Sequence, residues 1–117
     1  MPRYCFTSRV RPEVVDTYRQ VHAQVWPEML QALRDTGWRD YALYLTDDGL
    51  LIGTVLADDF DAAREAMART EVNPRWQEAM SNYFAGGGAP DEGFELVPLV
   101  FDLDAELRRH GLPTAAS

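Results

Sequence analysis

Four stretches of the chain read as strands with a period of two, and between these apolar residues recur at helical spacing. Residues 3–10 (RYCFTSRV) predict a strand with Tyr4, Phe6 and Val10 on one side. Arg11-Pro12-Glu13 opens a helix, with Pro12 suited to a first turn and Glu13 and Asp16 suited to the positive end of the helix dipole. From Val14 to Trp26 the pattern is helical. Val14, Tyr18, Val21 and Val25 form one stripe, and Val15, His22 and Trp26 form a second strip beside it. Pro27 disfavours helical geometry at the residue before it, so a kink or break is expected at Trp26. Helix resumes from Glu28 to Thr36, and Gly37 is placed to cap it.

Residues 38–46 (WRDYALYLT) and 50–57 (LLIGTVLA) predict a hairpin turned by Asp47-Asp48-Gly49. Helices are expected over 59–69 and from Glu71 to Tyr83, the second with Pro74 near its first turn. Gly86-Gly87-Gly88 and Pro90 mark a mobile loop, and residues 94–101 (FELVPLVF) a last strand in which Pro98 favours an edge or bulge. The folded domain is expected over 1–104 and a polar tail over 105–117; the chain is polar from Asp102 onward, with one short helix up to His110-Gly111.

Strand, helix, strand, strand, helix, strand is the ferredoxin-like βαββαβ order of an α+β domain. Its two helical regions can cover one face of a four-stranded sheet, and the other face should then be polar. It is not. Leu51 and Val55 oppose Leu50, Ile52 and Leu56; Tyr41, Leu43 and Leu45 oppose Ala42 and Tyr44; Phe94, Leu96 and Val100 oppose Val97, Leu99 and Phe101. Something must bury the second face, and another subunit is the economical answer, giving a homodimer with two sheets face to face, a dimeric α+β barrel.

Length and composition narrow the function. The chain has 117 residues, room for one domain. Its net charge of −8 argues against nucleic acid, which is bound first through phosphate neutralisation, and against an anionic membrane surface. All 11 basic residues are arginines, so Schiff-base chemistry on lysine is excluded. One cysteine, Cys5, allows no intrachain disulfide and reads as an inert buried thiol; two histidines cannot build a three-histidine zinc site. There is no apolar run of transmembrane length and no signal-peptide layout, so a soluble cytoplasmic protein is expected.

His22 is the one histidine inside the expected fold, with Tyr18 and Trp26 one helical turn either side. On spacing alone the three are either an ordinary packed stripe or one wall of a cleft lined by rings with polar tips. Tyr41 and Tyr44 face opposite sides of their strand, so one of them can face the helices and His22. Trp76 sits early in its helix, beside Pro74. Asp47-Asp48 reads as a solvated turn, and the triple glycine lacks the Lys-Ser/Thr of a phosphate loop.

Over residues 3–101 the chain resembles the L-rhamnose mutarotase family. The resemblance rests on the Tyr18-x-x-x-His22-x-x-x-Trp26-Pro27-Glu28 run, on Gly37 followed by Tyr41-Ala-Leu-Tyr44-Leu, and on Arg75-Trp76 before Met80. It implies the dimeric α+β barrel and interconversion of the α and β anomers of L-rhamnose or a related pyranose, without cofactor or metal. It places a proton donor on His22 and sugar contacts on Tyr18, Tyr41 and Trp76. Gln77 stands where members often carry a second tryptophan; it can hydrogen-bond a hydroxyl but cannot stack. Two other classes use the same fold or site: a cofactor-free monooxygenase, which would bind a flat chromophoric ligand, and a non-catalytic sugar-binding dimer, which would leave anomer exchange at the buffer rate.

Overall fold

The structure is a computed structural model and describes residues 1–85 and 93–115. The expected glycine-rich loop at 86–88 lies outside the described residues. Four strands, β1 (Arg3–Arg9), β2 (Arg39–Leu45), β3 (Leu50–Leu56) and β4 (Glu95–Val97), form one antiparallel sheet in the order β2-β3-β1-β4. Helices α1 (Val15–His22) and α2 (Pro27–Asp35) follow β1, α3 (Phe60–Ala68) and α4 (Val72–Met80) follow β3, and α5 (Leu103–Arg109) follows β4. This is the ferredoxin-like βαββαβ arrangement.

Local chemistry sets the boundaries. Pro12 starts a 3₁₀ turn that leads into α1. Pro27 holds Trp26 in extended geometry (φ −58°, ψ 135°) and begins α2, so the expected break is present. It begins sooner than the pattern suggested: α1 ends at His22, and Trp26 therefore lies off the helix that carries Tyr18 and His22. Gly37, at φ +99°, closes α2 in a Schellman turn, its N–H on the Arg34 carbonyl and that of Trp38 on Leu33. Gly49 turns the β2–β3 hairpin at φ +99°; a Cβ there would lie 2.2 Å from the Val10 carbonyl oxygen. Asp59 and Asp102 cap α3 and α5 through their carboxylates.

The last strand is shorter than expected. Pairing with β1 stops at Val97, because Pro98 has no N–H to continue the ladder. Residues 98–101 continue exposed, and α5 runs across the boundary expected at residue 104, with Asp102 tied to Arg3 at 3.0 Å.

Register sorts the side chains onto two faces. Leu43, Gly53, Phe6 and Leu96 make one inward row, with Leu51 and Val55 on the same face. The buried apolar residues of α1 to α4 all join the core on this side. The outward rows are Ala42-Thr54-Cys5-Val97 and Tyr44-Ile52-Thr7-Glu95, and α5 buries none of its residues. Tyr44 is 61% exposed and Val100 98%. Cys5 is half-buried on this outer face rather than in the core, because its place in the alternation is opposite to that of Phe6.

Candidate active site

Helices and sheet do not close completely on one another. Between them lies a cavity of about 750 Å³, bounded by α1, α2, α3, α4 and the inward faces of β2 and β3. Tyr18, His22, Tyr41 and Trp76, the four residues singled out from sequence, all line it. Each arrives by a different route. Tyr18 and His22 are one turn apart at the end of α1. Tyr41 is inward on β2, while Tyr44 points away, which settles which of the two faces the helices. Trp76 projects from the first half of α4.

His22 is held from two sides. Its ring stacks on that of Tyr18 with centroids 4.1 Å apart, and its Nδ1 lies 3.0 Å from the Tyr18 carbonyl oxygen. A carbonyl only accepts, so Nδ1 carries the hydrogen and Nε2 of the neutral ring keeps a lone pair. Across the cavity edge the Trp76 indole meets the imidazole edge-to-face at 5.5 Å. Trp26, although off the helix, meets the other side of this cluster, edge-to-face on Trp76 at 5.0 Å. Burial lowers the His22 pKa below 6.5, and the bond to the Tyr18 carbonyl partly opposes that shift. The neutral imidazole is therefore the major form at pH 7.

The two phenols form the opposite chemistry. Burial pushes Tyr18 and Tyr41 well above the usual tyrosine value, and for Tyr41 the nearby Tyr18 adds to the effect. Both stay protonated at any pH the protein meets. Neither hydroxyl makes a hydrogen bond within the described residues, where no fully buried polar side-chain atom lacks a partner, so both hydroxyls reach open space. Tyr41 is steadied by Trp38, 4.8 Å away, and by Phe6 at 6.2 Å.

The rest of the wall is mostly apolar, including Met29, Leu33, Leu43, Leu51, Met67 and Met80. An uncharged ligand with apolar faces and hydroxyl edges fits such a lining. Among the described residues no three His, Cys, Asp or Glu side chains converge as a metal site would need. His110 is exposed at the end of α5 and is not on the cavity wall. Arg75, part of the sequence match, is exposed as well.

Sequence reasoning missed Asn73. It is the buried polar residue of the described core, and it lines the cavity together with Gln77. The available signal was its spacing: three and four residues before Trp76 and Gln77, it shares their face of α4.

Comparison with known proteins is consistent across sequence and structure. The family described as L-rhamnose mutarotase matches residues 3–103. An L-rhamnose mutarotase from Burkholderia orbicola is 36% identical over 94 residues, covering 79% of this chain and 90% of the relative. One from Pectobacterium carotovorum is 31% identical over 104 residues, covering 89% of this chain and 100% of the relative. Among solved structures, an L-rhamnose mutarotase from Formosa agariphila superposes with a TM-score of 0.67 at 21% identity, over 87% of this chain and 96% of that one. An antibiotic biosynthesis monooxygenase superposes with a TM-score of 0.57 at 18% identity, over 86% of this chain and 99% of that one, a likeness of fold.

Proposed function

The chain belongs to the L-rhamnose mutarotase family, and on that premise we propose that its cavity interconverts the α and β anomers of L-rhamnose with His22 moving the protons. The observation that carries the assignment to His22 is the anchoring of Nδ1 on the Tyr18 carbonyl, which leaves Nε2 as the working atom on the cavity wall.

Ring opening requires the anomeric O1–H proton to leave as the C1–O5 bond breaks. The neutral Nε2 accepts that proton, the C1=O1 double bond forms, and the bonding pair of C1–O5 goes to O5. The departing O5 is an alkoxide, a stronger base than a phenolate. A hydrogen from the phenol wall of Tyr18 and Tyr41 therefore meets it, and the phenol recovers a proton from solvent. Rotation about C1–C2 then presents the other face of the aldehyde. Closure runs the same steps backwards, with the imidazolium as donor to O1. The proton donor expected from the family and the base expected from the tautomer are thus one atom in two half-reactions. No electrons are transferred. Catalysis of this type supplies roughly 10²- to 10⁴-fold, enough for a reaction that already proceeds in water. Trp76 covers an apolar face of the sugar.

A second copy of the chain completes the assembly in this reading. The uncovered outer sheet face supports it, as do Leu99, Val100 and Phe101, which sit exposed beyond β4. A reducing cytoplasm suits a chain whose one cysteine is unpaired.

The decisive experiment follows anomer exchange of L-rhamnose by NMR. His22→Asn keeps a hydrogen-bonding group but cannot titrate. We expect exchange to fall at least about 10²-fold while melting temperature and oligomeric state hold. Near-normal exchange in a folded His22→Asn protein would end the assignment.

A further inference from the structure

We propose that Arg19 is a positioning residue of this site, a clamp that fixes the last turn of α1, and with it the His22 imidazole, against the strand that carries Tyr41. The inference rests on the mutarotase reading and adds what holds its base in register with its phenol wall.

Helix α1 is eight residues long and ends at His22 itself. A helix this short is marginal alone, and its final turn is the part that frays. No helix continues behind it, because α2 starts again only at Pro27. Tyr18, buried, anchors the inner side of that turn. Arg19 holds its outer side. Its Nη2 donates to the Leu45 carbonyl oxygen at 3.1 Å and to Asp47 Oδ1 at 2.9 Å, and its Nη1 donates to Asp16 Oδ1 at 3.3 Å. Leu45 is the last residue of β2, and Asp47 lies in the turn that follows. Among the described residues, the hydrogen bonds that join α1 to the β2–β3 hairpin are the two made by Nη2.

A guanidinium is planar and its donors point in fixed directions, so three acceptors engaged together set orientation as well as distance. Arg19 follows Tyr18 directly and precedes His22 by less than one turn, so it grips the turn in which the Tyr18 carbonyl receives the Nδ1 hydrogen. Tyr41 stands four residues before Leu45 on the same strand. The base on α1 and the phenol on β2 must meet O1 and O5, two oxygens on one carbon. A small misplacement of such groups costs rate rather than binding. The Asp16 and Asp47 carboxylates are almost wholly exposed, where ion pairs contribute little to stability. The clamp therefore acts on geometry more than on folding.

The test compares wild type with Arg19→Met, Arg19→Lys and Asp47→Ala. Anomer exchange of L-rhamnose gives kcat and KM. The ¹⁵N shifts of the His22 ring, identified by their loss in His22→Asn and read where the ring is neutral, give its tautomer. In Arg19→Met we expect kcat to fall about tenfold, with KM within about threefold and melting temperature little changed. The ring should pass from the Nδ1–H form to a mixture with Nε2–H, a change that a purely structural role would not produce. Asp47→Ala leaves the Leu45 bond and should show a smaller loss of the same kind, and adding it to Arg19→Met should cost nothing further. Arg19→Lys restores a cation without the fork and should recover part of kcat. A folded Arg19→Met with kcat within about twofold of wild type, or with the wild-type tautomer, overturns the proposal. If Arg19→Met does not fold, Arg19→Lys and Asp47→Ala decide, and wild-type kcat in both overturns it. Failure of the parent reading looks different: wild type would not accelerate exchange, and the tautomer shift alone would then support or overturn the clamp.

Discussion

The two faces of the sheet are built from alternate residues of the same strands, yet their surroundings differ. Inward, Phe6, Leu51 and Val55 are almost wholly enclosed, and the helices over them leave a cavity beside Tyr41 and His22. Outward, Ile52, Thr54 and Tyr44 face away from every helix that contributes to the core. The inner face is completed by the chain itself. The outer face leaves Tyr44 and Val97 exposed and Ile52 half-buried in a single copy. Strand alternation thus separates a face covered by the chain's own helices from one that they leave open, and a one-residue change of position along a strand moves a side chain from one to the other.

Adjacent residues on β3 break the comparison most sharply. Leu51→Asp places a carboxylate in the closed core without a partner, a cost of several kcal/mol by order of magnitude, so circular dichroism should report an unfolded chain. Ile52→Asp places the same group on the outer face and should give a folded monomer by sedimentation. A folded Leu51→Asp, or an unchanged assembly in Ile52→Asp, would contradict the division of faces.

A subtler probe is Gly53. A Cβ there would fall 2.2 Å from Cζ of the Phe6 ring, so Gly53→Ala must displace a ring stacked at 4.1 Å on Phe94. Overpacking of this kind costs about 1–3 kcal/mol. Thermal melting should show the loss, while the outward neighbour Thr54→Ala should change little.

The smallest effect is one of pH. The His22 pKa lies below 6.5 in the folded protein. Below pH 6.5 the unfolded chain therefore binds the proton more readily than the folded one. The contribution to stability is complete above 6.5 and is lost as pH falls through the lowered folded value. Exchange activity should fall along the same limb, because only neutral Nε2 accepts the anomeric proton. A kcat/KM profile with an acid limb centred below 6.5, absent in His22→Asn, is the expected result.

By itself the sequence determined the order of elements, the two alternating side-chain sets of each strand and the breaks at Pro27, Gly37 and Gly49, because these depend on period, ring constraint and φ within a few residues. It also offered Tyr18, His22, Tyr41 and Trp76 as candidates, since few side chains in this chain combine a ring with a polar tip. Only the tertiary structure decided that Tyr41 rather than Tyr44 faces the helices, for the phase of a strand does not say which face is covered. It also moved Trp26 off the helix of His22 and onto Trp76, a contact between segments fifty residues apart. The burial of Asn73 was hidden for the same reason. A polar residue in a helix is ordinarily solvated, and its burial depends on what α2 and α3 bring against that face.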